Sequence, residues 1–211
     1  MLRVKVCGLN DPLNVKAISE SGADFLGFIF YPDSKRFVGR NPDKMMFMDV
    51  PEGIKKTGVF VNENPSRILE LSEFARLDVI QLHGNESVEY CRSLKMSGLL
   101  IIKTFSVGSD FDPAKTDLYS DACDYFLFDT KSVNHGGSGS KFNWKIIENY
   151  TFNKPFFLSG GIGPEDSGIV TEIVSKHFYA IDINSRFEIL PGIKDAVRVK
   201  NFINEIKRSC K

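Results

Sequence analysis

The feature that most constrains this chain is a strict alternation of short apolar runs with amphipathic stretches, repeated from end to end. The runs that read as buried strands are Arg3–Cys7, Asp24–Phe30, Ile54–Val61, Asp78–Leu82, Leu99–Thr104, Tyr125–Phe128, Phe156–Leu158 and Tyr179–Ile183. Between them the helix candidates are Pro12–Glu20, Pro42–Met48, Pro65–Phe74, Ser87–Lys95, Pro113–Tyr119, Trp144–Tyr150, Pro164–Ser175 and Lys194–Ile206. Several open on proline after a polar residue or glycine, as in Asp11-Pro12, Asn64-Pro65 and Gly163-Pro164. Proline has no N–H to leave unsatisfied at the first helical position, so this is a start signal. Eight strands and eight helices, in units of roughly 25 residues, fill 211 residues with nothing left over. The pattern predicts one α/β domain over residues 1–211, a single (β/α)8 TIM barrel. The rival is an open doubly wound sheet, which would want a G-x-G-x-x-G turn after its first strand. That turn reads Cys7-Gly8-Leu9-Asn10 instead. One segment, Lys131–Lys141, reads as a loop and contains Gly136-Gly137-Ser138-Gly139-Ser140.

Charge narrows the functional classes. Twenty-seven Lys and Arg face twenty-seven Asp and Glu, a formal net charge of zero. Nucleic-acid and membrane-surface proteins need a strong positive field, so neither partner is expected, whereas a small anion needs only a few local cations. Arg3 and Lys5 interrupt the only early apolar run, so no signal peptide is read, and no run reaches membrane-spanning length. Cys7, Cys91, Cys123 and Cys210 are scattered without a CxxC pair, which speaks against a disulfide framework or a zinc site. The expected compartment is the cytoplasm.

A barrel of this kind carries its chemistry at the C-terminal ends of its strands. Those positions hold Cys7, Phe30, Asn62, His83, Lys103, Asp129, Gly160-Gly161 and Asp182. Cys7 has two readings, a small buried hydrophobe or a reactive thiol. A free thiol is only a few per cent thiolate at about pH 7, so the second reading requires a cation nearby. Alternation puts Lys5 on its face, and Lys103 or a phosphate-site field is a further source. Asp129, after Tyr125-Phe126-Leu127-Phe128, is a carboxylate at the mouth of an apolar strand, the setting of a general acid; an N-cap or loop role is the alternative. Gly160-Gly161-Ile162-Gly163-Pro164 joins strand seven to its helix, where backbone N–H groups and a helix N-terminus receive phosphate in many barrels. Asn184-Ser185-Arg186 would be its partner after strand eight. Arg36 suits a carboxylate or phosphate, or is a solvated surface charge. His83 stands alone, without metal-like spacing to another ligand, and reads as a structural or substrate-contacting group.

Taken in order, these blocks resemble phosphoribosylanthranilate isomerases. The resemblance opens in Val4-Lys5-Val6-Cys7-Gly8-Leu9 and continues in 22–30, Ser34-Lys35-Arg36-Phe37-Val38, Gly58-Val59-Phe60-Val61-Asn62, Gln81-Leu82-His83-Gly84 and Phe128-Asp129. It runs on through Gly136-Gly137-Ser138-Gly139 and Leu158-Ser159-Gly160-Gly161 to Asp182-Ile183-Asn184-Ser185 and Pro191-Gly192-Ile193-Lys194-Asp195. It implies an Amadori rearrangement in tryptophan biosynthesis on a phosphorylated sugar substrate, with no metal or organic cofactor. It also implies Cys7 as base, Asp129 as acid, Arg36 on the anthranilate carboxylate, and Asp182 and His83 against the substrate. The phosphate would rest at Gly160, Gly161, Asn184 and Ser185, with Arg186 beside it. The chain departs from the family pattern at Arg186, where a glycine is usual and where a left-handed backbone would be strained in any other residue. It departs also at Lys35, Phe37 and Asn143. A histidine-pathway isomerase would place an aspartate at position 7. An indole-glycerol-phosphate synthase would need a lysine at the catalytic end of strand three, and Lys55 and Lys56 lie at its beginning. A barrel that only binds a sugar phosphate or a partner protein would need neither Cys7 nor Asp129.

Overall fold

Each strand must bury both of its faces, and that requirement organises the whole molecule. The computed structural model describes residues 1–108, 111–130, 144 and 154–209. Eight parallel strands close into a barrel in sequence order: β1 Arg3–Cys7, β2 Phe25–Ile29, β3 Lys55–Phe60, β4 Val79–Leu82, β5 Leu100–Val107, β6 Tyr125–Thr130, β7 Phe156–Leu158 and β8 Phe178–Ile183. Closure is direct, with Val4 opposite Ile181 and Val6 opposite Ile183. Alternate residues then divide into two cores. Val4, Val6, Leu26, Phe28, Ile80, Phe126 and Phe128 face outward into the shell of helices. Phe25, Val79, Ile102, Leu127, Phe157 and Ala180 fill the barrel interior. At the N-terminal end of the interior, the rings of Tyr125 and Tyr179 meet at 4.8 Å and the Arg3 guanidinium lies 4.4 Å over Tyr179. This apolar floor leaves the inward positions above it to polar groups.

The helices are α1 Pro12–Ser19, α2 Met45–Met48, α3 Pro65–Ala75, α4 Val88–Lys95, α5 Ala114–Asp117, α6 Ser167–Thr171 and α7 Ala196–Ser209. The proline starts hold where a polar cap supports them. Asp11 accepts from Asn14 N–H at 2.7 Å and Asn64 from Ser66 N–H at 2.9 Å. Three helices are shorter than their patterns predict. α2 and α5 are single turns, and the Pro164–Ser175 pattern yields a 3-10 turn over Pro164–Asp166 followed by the five residues of α6. In that stretch Gly168 and the β-branched Ile169, Val170, Thr171, Ile173 and Val174 all lower helix propensity. At the other end of the chain, Lys194 does not begin a helix. It lies in β10 (Ile193–Lys194), which pairs antiparallel with β9 (Glu188–Leu190), and α7 starts only at Ala196, with Asp195 accepting from Arg198 N–H at 3.0 Å. The predicted helix Trp144–Tyr150 and loop Lys131–Lys141 lie outside the described residues, except that Trp144 is buried. Among the described residues no helix is long and apolar enough to cross a membrane.

Candidate active site

The inward positions at the C-terminal end of the barrel converge on Cys7. It is 4 % exposed, and its register partner on β2 is Gly27. A Cβ at Gly27 would stand 2.8 Å from Cys7 Sγ, so the glycine leaves the thiol its space. Two residues earlier on the same face, Lys5 is fully buried and its Nζ lies 2.9 Å from Asp182 Oδ2 on β8. Burial pushes the Cys7 thiol up; the Lys5 charge pulls it back, Asp182 pushes it up again and Lys194 pulls it down, and the net direction is upward. Burial works against the Lys5 charge too, yet Asp182 and Cys7 hold the ammonium above its ordinary value. Asp182 is raised by burial against the opposing Lys5 charge, and its Oδ1 is buried without a hydrogen-bond partner among the described residues. Lys5 is therefore the cation beside Cys7, although the thiol's net shift is upward.

Lys103 is not. Alternation turns it outward, where its Nζ bonds Gly84 O at 2.7 Å and Glu86 Oε2 at 2.8 Å. Glu86 also takes the N–H groups of Asn62 and Gly84, and Asn62 Oδ1 accepts from Asn85 N–H. Lys103 and Asn62 thus tie the loops after β3 and β4 together. Phe30 likewise belongs to the outer core, stacked on Phe60 at 5.1 Å.

Asp129 is the inward residue near the end of β6 and is 7 % exposed. Its Oδ1 accepts from Thr130 N–H at 2.9 Å, and its Oδ2 lies 3.4 Å from His83 Nε2. The Gln81 Nε2 sits 3.1 Å from His83 Nδ1, a contact that fits the tautomer with its ring proton on Nε2, facing Asp129. β1 and β6 are separated by β7 and β8 in the closed order, so Cys7 and Asp129 stand on different sides of one barrel mouth.

Arg36 is brought to the same mouth by the loop after β2. Its Nε and Nη2 donate to Glu188 Oε1 and Oε2 at 2.7 and 2.6 Å, a bidentate pair. Glu188 also accepts from Lys194 Nζ at 2.7 Å and Gly192 N–H at 3.0 Å. Burial raises the Glu188 carboxyl, but Arg36 and Lys194 outweigh it and hold the group down at about 2. Lys194 Nζ reaches Asn184 Oδ1 at 2.6 Å, and burial takes this ammonium down to about 8. Glu188 and Lys194 were not among the sequence candidates. The available signal was the Pro191-Gly192 turn between two short alternating segments, which specifies a hairpin.

The loop after β7 carries the predicted glycine pair. Gly160 and Gly161 both have left-handed backbones, at φ 95° and 70°. Successive N–H groups in such a turn form an anion-receiving concavity. The short α6 adds little dipole, so the backbone amides are the main donors this loop offers. Ser185 and Arg186 lie in a 3-10 turn, Ser185–Phe187, entered through Asn184. Arg186 is not among the positive-φ residues, so the side chain replacing the usual glycine is accommodated without left-handed strain. Its Nη2 pairs with Glu165 Oε1 at 2.5 Å, with both side chains exposed at the rim. Among the described residues no group of three or more His, Cys, Asp or Glu side chains is arranged to hold a metal ion.

The family model for N-(5'-phosphoribosyl)anthranilate (PRA) isomerase matches residues 4–205. An N-(5'-phosphoribosyl)anthranilate isomerase of Phocaeicola vulgatus is 43% identical over 205 residues, covering 97% of this chain and 98% of that protein. The enzyme of that name from Thermotoga maritima is 36% identical over 208 residues, covering 98% and 99%. A crystal structure of phosphoribosyl anthranilate isomerase from Thermotoga maritima superposes with a TM-score of 0.89 at 36% identity, covering 99% of this chain and 100% of that one. A crystal structure of a phosphoribosyl anthranilate isomerase in complex with reduced 1-(o-carboxyphenylamino)-1-deoxyribulose 5-phosphate superposes with a TM-score of 0.86 at 33% identity, covering 99% of this chain and 100% of that one.

Proposed function

The chain belongs to the N-(5'-phosphoribosyl)anthranilate isomerase family, and from that premise we propose that Cys7 and Asp129 divide the proton transfers of its reaction. The protein is a phosphoribosylanthranilate isomerase of tryptophan biosynthesis. The reaction converts N-(5'-phosphoribosyl)anthranilate to 1-(2-carboxyphenylamino)-1-deoxyribulose 5-phosphate, and it requires one proton delivered and one removed. Asp129 protonates the ribose ring oxygen as the C1–O bond breaks, and the nitrogen lone pair forms the open-chain iminium. Cys7, as thiolate, removes the C2 proton to give the enolamine, which tautomerises to the ketone. The observation that carries this reading is the placing of a carboxylate and a buried thiol with its own cation, Lys5, at one barrel mouth.

The surrounding groups have matching tasks. His83, oriented by Gln81, donates toward Asp129 and orients the acid beside the substrate. Glu188 occupies the Nε–Nη2 edge of Arg36, which leaves the edge containing Nη1 to take the anthranilate carboxylate in a second bidentate pair. Asp182 contacts the sugar or the linking nitrogen through Oδ1, the oxygen that Lys5 does not use. The phosphate rests on the backbone of Gly160, Gly161, Asn184 and Ser185, with Arg186 supplying charge from the rim. We take residues 1–211 as one catalytic domain acting on a small sugar phosphate, without nucleic acid. A thiolate base favours a reducing compartment, and with Cys7, Cys91 and Cys123 all free we assign the enzyme to the cytoplasm.

The test is turnover of freshly prepared N-(5'-phosphoribosyl)anthranilate, followed by loss of its fluorescence with the product mass checked. Wild-type protein is expected to consume the substrate and release an isomer of unchanged mass. No turnover by folded protein would overturn the assignment.

A further inference from the structure

Lys194 belongs to a buried wall that the proton transfers described above do not use. Its side chain is wholly buried, and its Nζ donates to Glu188 Oε1 at 2.7 Å and Asn184 Oδ1 at 2.6 Å. Glu188 joins it to Arg36. The wall packs on the residue that follows the thiol: a Cβ at Gly8 would stand 2.6 Å from Arg36 Cδ and 2.8 Å from Asn184 Oδ1. Gly8 avoids both by having no Cβ, and its φ of 78° suits only glycine comfortably.

The charges of the site then sort into two groups. Beside Cys7 on the inward face, Lys5 is paired with Asp182 and pulls the thiol down, but not far enough to offset its burial. Beyond Gly8, Arg36 and Lys194 carry two positive charges against one negative on Glu188, an excess of one positive. That excess is not needed to satisfy Glu188, which already holds a bidentate Arg36 and the Gly192 N–H. Nor does it come freely, because burial draws Lys194 toward losing its proton. Lys194 is the second cation, after Lys5, that pulls the Cys7 thiol down, and it is joined to the backbone beside the thiol through Asn184, which packs on Gly8.

We propose that Lys194 is a positioning residue whose charge, held by Glu188 and Asn184, stabilises Cys7 as a thiolate. The proposal rests on Cys7 being the base, so its test reads the thiol separately from turnover. Iodoacetamide alkylation of the Cys7 peptide is followed by mass spectrometry across pH in the full-length protein, beside the pH profile of kcat/KM. Lys194→Met is expected to move the alkylation midpoint of Cys7 upward by at least about one unit, a tenfold loss of thiolate at a fixed lower pH. The alkaline rise of kcat/KM should move with it. Lys194→Arg should restore the wild-type midpoint, because it retains the charge. If the methionine variant does not fold, Lys194→Gln keeps a donor for Glu188 and Asn184 and carries the same expectation. A Cys7 midpoint that stays at the wild-type value in a folded, uncharged variant would overturn the proposal. So would equal shifts in the Gln and Arg variants. A midpoint that moves while the kcat/KM profile stays fixed would instead overturn Cys7 as the base.

Discussion

Cys7 is surrounded by residues whose value lies in what they withhold or offset. Gly27 withholds a side chain, and the consequence is directly measurable. Gly27→Ala would set a methyl 2.8 Å from the sulfur and 3.0 Å from the Cys7 Cα, so the thiol must move. Overpacking of this kind costs about 1–3 kcal/mol. The expected outcome is a folded enzyme, slightly less stable by urea denaturation, whose kcat falls far more than its stability accounts for. Glu188 makes a different prediction, in acid. Its carboxyl is held at about 2 in the fold against an ordinary 4.5. Below 4.5 the unfolded chain takes up the proton first, so stability present above that pH is lost as pH falls toward 2. Urea denaturation from pH 6 downward should show this acid slope in the wild type and a shallower one in Glu188→Gln. An unchanged slope would mean that the Arg36–Glu188–Lys194 bonds do not persist in solution.

At the scale of elements, the division between readable and unreadable follows from what sets each boundary. The strands were legible because a parallel barrel strand is buried on both faces and must be apolar over a short run. The lengths of α2, α5 and α6 were not, because a pattern of apolar positions does not say where packing against the barrel ends. The β9–β10 hairpin escaped for a related reason: Lys194 and Glu188 look like surface charges in a string, and only the fold buries them against each other. Lys103 also ends a strand at the catalytic face, but alternation turns its side chain into the outer shell, so a place at a strand end does not make it a support for the thiol. The Gly160-Gly161 turn, by contrast, was legible from composition and place. A Cβ at Gly160 would stand 2.7 Å from Thr130 N, on a backbone at φ 95°. Gly160→Ala should therefore disturb the loop proposed to hold the phosphate. The expected signature in steady-state kinetics is a KM raised several-fold with kcat much less affected, and the reverse pattern would place the phosphate elsewhere.

The whole molecule is neutral by formal charge, and it gathers buried ions of both signs at one barrel mouth. The closed barrel explains how. Its apolar floor and outer core supply cohesion, which leaves the upper inward positions free to hold charges that would not otherwise be buried. Lys5, Cys7, Asp129 and Asp182 reach one place because they share inward parity on β1, β6 and β8, not because they are near in sequence. The central claim is that two of these groups perform the proton transfers, and parallel kcat measurements on Cys7→Ser and Asp129→Asn test it most directly. Each substitution nearly preserves side-chain size while removing one proton-transfer function, and a positioned acid or base contributes about 10²–10⁴-fold. Each variant, folded as the wild type by circular dichroism, should lose activity by about that factor. Near-wild-type kcat in either variant would contradict the account.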